Sequence, residues 1–312
     1  MKLHQLRDVL AVAAQGSLRA AARELGMAQP ALSRSIQGLE RELGVPLFER
    51  KSRGVTPTAI GEAFIRRANA VQSELARARD EIEQLRGIAH GHVRVALSMV
   101  PHMALLPYAL RPFRRKYADV HLDIIDAVFP TVAGELGDGT MDCYIGAAPE
   151  SIPEGLVTEK LFDNTRIIVG RKGHPLAQAR SLRELADAEW LTTSVTARAE
   201  NELGPLFSEH RLPPPKLVMQ AHSALTLTVA LVYSDLLAML PEQWMEFPLT
   251  RDALQTIQVA EHLKAPPICI IRRAGLPLTP AAEHFCDLMR RAGAHLAHQR
   301  DKSPRAIPRA RR

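Results

Sequence analysis

The chain has 312 residues, 46% of them apolar, enough for two or three cores of the soluble globular class. No run of eighteen apolar residues appears, and Met1-Lys2-Leu3-His4 opens no signal peptide, so membrane and secreted classes are set aside and a cytoplasmic place is expected. The net charge of +6 is uneven: the segment from Arg300 holds six cations against Asp301, and Met1 to Pro57 holds nine Lys/Arg against five Asp/Glu, leaving the body nearly neutral.

The first element is a helix with Leu3, Leu6, Val9, Leu10 and Ala13 on one side. A second short helix follows, with Leu18, Ala21, Ala22 and Leu25 at helical spacing, Ser17 as its cap and Gly26 at its end. A third repeats Leu32, Ile36, Leu39 and Leu43, with Pro30 in the first turn, where a missing N–H costs nothing. The opposite face of that third helix carries Pro30, Ser33, Arg34, Gln37 and Arg41. Hydroxyl, guanidinium and amide groups so spaced suit phosphates and base edges in a major groove. Helices two and three therefore read as a helix-turn-helix. An ordinary amphipathic pair would show the same face, but the flanks add two things. The first helix completes a three-helix core, and VPLFERKSRGVTPT gives two extended runs joined by Arg50, Lys51 and Arg53 beside Gly54. That is a basic wing, placed to reach backbone or minor groove. The local excess of cations fits a phosphate-contacting domain.

The stretch LRAAARELGMAQPALSRSIQGLERELGVPLFERKSRGVTPTAIGE resembles the N-terminal domain of LysR-type transcriptional regulators over about sixty residues, and the whole length is similar to that family. The resemblance implies that Gln29, Pro30, Ser33, Arg34 and Gln37 contact DNA from the recognition helix. It implies the same of Arg53, entering the minor groove, while Arg50 and Lys51 are expected DNA contacts from the basic wing itself. It further implies a winged helix-turn-helix working in a homotetramer, a dimer of dimers on double-stranded DNA.

Thr56-Pro57-Thr58 then starts a long helix, with threonine as cap and proline in the first turn. Phe64, Ala68, Val71, Leu75, Ala78, Ile82 and Leu85 alternate steps of four and three, the seam of a dimerising coiled coil. Arg77, Asp80 and other charged residues decorate its outside. It stops near Gly87, and His90-Gly91-His92 reads as a hinge; two histidines without further ligands do not make a metal site. Cys143, Cys269 and Cys286 are too few and too far apart for a disulfide framework or a zinc spacing.

From Val93 strands and helices alternate. VRVAL, a helix from about Pro101 to Tyr117, VHLDII, a helix over Val132 to Gly137, and CYIGA come first. IIVG, WLTTS, KLVMQ and LLAML follow, with helices near Leu182–Ala186, Ala199–His210 and Ala224–Tyr233. ICIIR and a helix from Thr279-Pro280 through Leu296 close the pattern. This argues α/β with a mainly parallel sheet. The family resemblance implies two lobes of periplasmic-binding-protein type, the second inserted into the first, with chain exchange near 162–166 and 264–268. The expected division is a winged domain at 1–58, a linker helix at 59–87 and a hinge at 88–92. An effector domain follows at 93–299, with lobe I about 93–162 and 267–299 and lobe II about 163–266. The basic tail, 300–312, with Pro304 and Pro308 and few apolar residues, reads as disordered.

In open α/β sheets ligands bind off the carboxyl ends of strands, where helix N-termini present free N–H groups. The candidates are Ser98 and Met99 after VRVAL, and Phe129, Pro130 and Thr131 after VHLDII. Thr193, Ser194 and Val195 follow WLTT, and His222 and Ser223 follow KLVMQ. These match effector-pocket regions of the family, though Phe129 stands where some aromatic-acid sensors in it carry a threonine, which implies a more apolar wall. Each is also an ordinary cap or core position. Helix N-termini with hydroxyls favour a small anion, by roughly 0.3–1 kcal/mol per exposed terminus. The expected protein is a DNA-binding transcriptional regulator controlled by a small carboxylate or sulfonate, an aromatic one by its resemblance to family members serving aromatic acid or sulfonate catabolism, with no cofactor, metal or membrane partner. An enzyme is the first alternative, but no nucleophile elbow, paired-histidine helix, P-loop or dinucleotide turn appears in the sequence where the fold would need it. A plain solute-binding module leaves the N-terminal domain without a role.

Overall fold

The computed structural model describes residues 1–51, 54–193, 200–221, 223–248 and 250–302. Arg53, Ser194, Val195, His222 and the tail from Ser303 onward lie outside the described residues.

Helices α1 (Leu3–Gln15), α2 (Leu18–Glu24) and α3 (Gln29–Leu43) form the first core, burying Val9, Val12, Ala21, Ala22, Leu32, Ile36, Leu39 and Leu47. Ser17 caps α2 by accepting from the Ala20 N–H. Leu3 stays out of the core because α1 begins there; Leu6, Val9 and Val12 carry the buried face. Asp8 is buried among them, and its carboxylate accepts from the Ser35 hydroxyl at 2.6 Å. That bond sets α3 against α1 and is a polar lock the apolar periodicity does not reveal.

Strands β1 (Phe48–Lys51) and β2 (Gly54–Pro57) pair antiparallel as the wing. The Glu40 carboxylate accepts from the N–H groups of Leu47 and Phe48 at 2.8 and 3.1 Å, which fastens the wing to α3. The Val55 N–H donates to the Gly16 carbonyl at 2.9 Å. Gly54 has φ +137°, and a Cβ there would stand 2.3 Å from that carbonyl, so only glycine fits.

Helix α4 runs Ala59–Leu85 and is capped by Thr58, whose hydroxyl accepts from the Gly61 N–H at 2.9 Å. Pro57 ends β2 and is not in the first turn of α4, since its carbonyl neighbourhood pairs with Phe48. The expected hinge is also different. His90-Gly91-His92 opens β3 (His90–Leu97), and α4 grips it there. The Asp80 carboxylate accepts from the His92 N–H at 3.0 Å, and Gln84 Nε2 donates to the His90 carbonyl at 3.0 Å. Asp80 and Arg77, expected to face solvent, face the α/β domain.

Along the chain come α5 (Met99–Ala104), α6 (Leu106–Lys116), β4 (Asp119–Asp126), α7 (Phe129–Asp138), β5 (Cys143–Ala147) and β6 (Leu156–Phe162). The helix expected from Pro101 to Tyr117 breaks at Leu105, where Pro107 in the first turn of α6 supplies no N–H to continue it. The second lobe holds β7 (Arg166–Arg171), β8 (Glu189–Thr193), α8 (Glu200–Glu209), β9 (Lys216–Ala221) and α9 (Ala224–Val232). It ends with β10 (Ala238–Pro241), a 3-10 turn at Glu242–Met245 and β11 (Leu254–Ile257). β12 (Ile268–Arg273) and α10 (Pro280–Lys302) return to the first lobe.

The first lobe's sheet has the order β4-β3-β5-β12-β6. β4, β3 and β5 are parallel, but β12 is antiparallel to both β5 and β6, so the sheet is mixed. β12 comes back from the second lobe and can enter only in the reverse sense. In the second lobe β10-β7-β11 is antiparallel and β8-β9 parallel, the two joined by a parallel bridge from Trp190 to Leu237. The two crossings between lobes touch at the antiparallel bridge Thr165–Lys264. Each lobe is held by large buried side chains: Phe113 stands edge-on to Phe285 in the first, Trp190 edge-on to Phe207 in the second. Burying each such group contributes about 1.5–3 kcal/mol. Helix α10 carries on past Arg300 to Lys302, beyond the expected start of the tail. Among the described residues no helix is long and apolar enough to cross a membrane.

Candidate functional site

On the N-terminal domain, the core side of α3 is fixed by Leu32, Ile36 and Leu39, which turns the polar side outward. Gln29, Pro30, Arg34, Gln37 and Arg41 are exposed and Ser33 is half-buried. The Arg41 Nε donates to the Gln37 carbonyl at 3.3 Å, whereas Arg34 has neither an ion pair nor a side-chain hydrogen bond among the described residues. In the wing, Lys51 is exposed and the backbone of Arg50 pairs with Val55. Helix and hairpin thus present their cationic and amide groups from one small rigid body, as a major-groove reader with a backbone-reaching wing requires.

The second site lies where the lobes meet. Met99 and Met103 of α5 pack on the second lobe's core cluster around Leu191, Leu240 and Trp244. α5 follows β3 directly, so the carboxyl edge of the first lobe's parallel strands is at this junction. Ser98 is buried, its N–H donates to the Ile145 carbonyl at 2.9 Å, and its side chain caps nothing in α5. Its hydroxyl lies instead against the phenol of Tyr144. A Cβ on Gly146 would fall 2.2 Å from Tyr144 Oη and 2.6 Å from Ser98 Oγ, so glycine there leaves the space both hydroxyls use.

Tyr144 escaped the sequence reading, because CYIGA looks like any buried strand. Its hydroxyl donates to the Ala147 carbonyl at 3.3 Å and also bonds the Ser98 side chain and the Phe129 backbone. Burial pushes its pKa up to about 12, against the pull of those two hydrogen bonds. It is a neutral phenol at every physiological pH.

Phe129 was expected between strand and helix; it opens α7 and is buried edge-on to Tyr144, with ring centroids 5.7 Å apart. Its side chain is used in the core, and its backbone N–H is what reaches the junction. Pro130 is exposed in the first turn of α7, and the Thr131 hydroxyl turns back to the Val128 carbonyl at 2.8 Å. The backbone of Thr193 ends β8. Ser223 caps α9 by accepting from the Thr226 N–H at 3.1 Å, and its hydroxyl pairs with that of Thr226 at 2.9 Å. The structure therefore brings Ser98 and Phe129 together through Tyr144, with Met99 packed on the second lobe's cluster, while Pro130 and Ser223 stand at exposed helix starts. Among the described residues no group of three or more His, Cys, Asp or Glu is placed to hold a metal ion.

A winged helix-turn-helix joined by a long helix to two α/β lobes is the architecture of a DNA-binding regulator with an attached substrate-binding-type domain. Residues 3–62 match the family described as bacterial regulatory helix-turn-helix protein, lysR family, and residues 86–294 match the LysR substrate binding domain. The chain belongs to the LysR family of transcriptional regulators. It is 27% identical over 267 residues to the HTH-type transcriptional regulator GalR of Pseudomonas putida, an alignment spanning 85% of this chain and 67% of that one. It is 29% identical over 289 residues to the SDS degradation transcriptional activation protein of a Pseudomonas species, spanning 90% and 93%. The structure of full-length CbnR complexed with its target DNA superimposes with a TM-score of 0.68 over 94% of this chain and 100% of that one. At 22% identity that likeness speaks for the fold alone.

Proposed function

We propose that this regulator reads its operator with Gln29, Pro30, Ser33, Arg34 and Gln37 of α3 and with Arg50, Lys51 and Arg53 of the wing. Its output answers to a small effector held between the lobes. The observation that carries the effector reading is the junction itself. Ser98 is a buried hydroxyl that caps no helix, at the carboxyl end of β3, next to Met99, which with Met103 packs on the second lobe's cluster. Such edges are where α/β folds take ligands. Thr193, Ser194, His222 and Ser223 are the second lobe's proposed contacts. Neutral donors beside thioethers, which favour aromatic rings, support a small aromatic carboxylate or sulfonate. A relative named for SDS degradation fits an anionic ligand.

The functional divisions proposed are those of the sequence reading: DNA-binding residues 1–58, a linker helix over 59–87 and a two-lobed effector domain over 93–299. Two separate apolar faces support a homotetramer, and the DNA partner makes a cytoplasmic place the proposed one. Val71, Leu75, Ile82 and Leu85 are exposed along α4. Leu225, Val229 and Tyr233 form a second exposed stripe on α9, beside Val218 and Met219 of β9. Apolar surface of that kind marks association, and two faces build a dimer of dimers.

The test is a thermal-shift screen of aromatic carboxylates and sulfonates on the full-length protein, with gel shifts on its own promoter. A ligand at 100 times its Kd adds about 2.7 kcal/mol to stability. If no compound of either class raises the melting temperature or alters promoter binding, the effector class is wrong.

A further inference from the structure

Gln243 and Trp244 stand side by side in the 3-10 turn after β10, each only 1% exposed. Neither atom of the Gln243 amide nor the indole Nε1 of Trp244 has a hydrogen-bond partner among the described residues. A buried polar atom left unpaired costs about 1–3 kcal/mol, so three of them on adjacent residues are not explained by packing. A leucine at 243 would fill similar volume without that cost.

Their place in the fold gives them a use. β10 follows Leu237, whose parallel bridge to Trp190 sets β10 alongside β8. The turn therefore leaves the same carboxyl edge from which β8 and β9 exit, the edge where α/β sheets take ligands. It also packs on α5 of the first lobe. Met99 and Met103 of α5 lie against the cluster that contains Trp244. The turn that carries the unpaired amide is thus buried where the two lobes touch.

We infer that Gln243 is a specificity-determining contact for the effector, and that the effector is an acid carrying a hydroxyl near its carboxylate. This deepens the reading of the interlobe junction as the effector site and rests on it. The amide NH2 donates to a carboxylate oxygen. The amide oxygen is the one acceptor of the set and takes the hydroxyl proton. A bare benzoate fills the donors and leaves the acceptor orphaned. A site built to bond a hydroxyl rejects the analogue that lacks it, because the buried partner is then unpaired.

The experiment uses the full-length protein with benzoate, its three monohydroxy derivatives and benzenesulfonate, read by thermal shift and calorimetry. The 2-hydroxy derivative should bind the natural protein about tenfold more tightly than benzoate, the worth of one such hydrogen bond, and more tightly than the 4-hydroxy isomer, whose hydroxyl stands too far from the carboxylate for one amide to meet both. In Gln243→Leu that ratio should fall to near one, while the melting temperature without ligand stays the same or rises. Gln243→Met is the second variant where leucine disturbs folding. A substituted protein that keeps the hydroxybenzoate preference overturns the assignment of Gln243 and leaves the effector class standing. A natural protein that prefers benzoate, or binds the hydroxy acids no better, overturns the hydroxy-acid class. Binding of none of the five removes the aromatic-acid effector itself, and this inference with it.

Discussion

Arg77 on the long helix donates through Nε to the Asp142 carboxylate at 3.0 Å, joining two residues 65 positions apart. Asp142 also accepts from the Arg94 N–H at 2.8 Å, and Arg77 reaches the Met141 carbonyl at 3.3 Å and Glu74 at 2.7 Å. Arg273 completes the group by pairing with Glu74. Both guanidiniums cover Gly139, where a Cβ would lie 2.8 and 2.9 Å from their nitrogens. Gly139 ends α7, whose first residue, Phe129, stands at the lobe junction. One helix therefore spans from the proposed effector cleft to the helix that carries the DNA-binding domain.

The Arg77–Asp142 pair should govern how stability depends on pH. Burial raises the Asp142 carboxyl, and the Arg77 charge pulls it partly back. A carboxyl raised on folding contributes most below the ordinary carboxylate range, and that contribution is lost as pH rises through the folded value. Arg77→Ala removes the compensating charge, so its cost should be greatest at neutral pH and smaller near pH 4. Removing one partner of a buried pair costs about 3–5 kcal/mol; with Arg77 18% exposed the low end is expected. In an Asp142→Asn background the same substitution should cost less. Urea unfolding at both pH values is the measurement, and an equal loss at each would remove the charge pair as the cause.

Arg34→Ala should weaken operator binding by about 1–3 kcal/mol and relax preference at one base pair, the value of a bidentate base contact. The side chain is exposed on α3 and held by no neighbour among the described residues, so the fold should be untouched. Gel shifts on the operator and on random DNA decide the matter: an equal loss on both would make Arg34 a phosphate contact only.

How much of this was legible in the sequence follows the physics of each signal. The helix-turn-helix read cleanly because Leu32, Ile36 and Leu39 repeat within one helix and Ser17 is a local cap. Strands β6 and β11 were missed, since LVTEKLF and LQTI carry weak or short apolar patterns whose burial depends on partners far along the chain. The reversed sense of β12 could not be read from ICIIR, because strand direction is set by the return from the other lobe. The same limit applies at the junction. Ser98 was visible as a hydroxyl after a strand, but Tyr144 and Gln243 acquire meaning only once β5 and the turn after β10 are brought to the same edge. Charged residues of α4 were assigned to solvent because helical spacing tells which residues share a face, not which face a second domain covers.

The exposed seam of α4 yields a prediction about assembly. Ile82 is 59% exposed and Leu75 41%, on the side of the helix away from Asp80 and Gln84. Ile82→Glu should leave the single chain folded, because no core residue is lost, and should shift sedimentation toward half-sized species. Like charges facing each other across a coiled-coil seam oppose pairing. Unchanged sedimentation of the full-length variant would show that α4 is not the pairing face.

Ser98 and Tyr144 should separate by what each substitution costs. Ser98→Ala removes a hydroxyl that caps no helix, so operator binding without effector should stay nearly unchanged. Effector affinity should fall by about 0.5–1.5 kcal/mol for a neutral bond, and by up to about 3 if the bond is to a charged ligand. Tyr144→Phe acts differently, because the phenol bonds Ser98, Ala147 and the Phe129 backbone within the fold. Its loss leaves the buried Phe129 N–H with no phenol oxygen to meet and should cost about 1–3 kcal/mol of stability. Calorimetric effector titrations beside gel shifts and thermal melts on the two variants give all three quantities. If Ser98→Ala abolishes DNA binding and leaves effector affinity intact, the serine serves folding or assembly, and the junction around it is not where the effector is held.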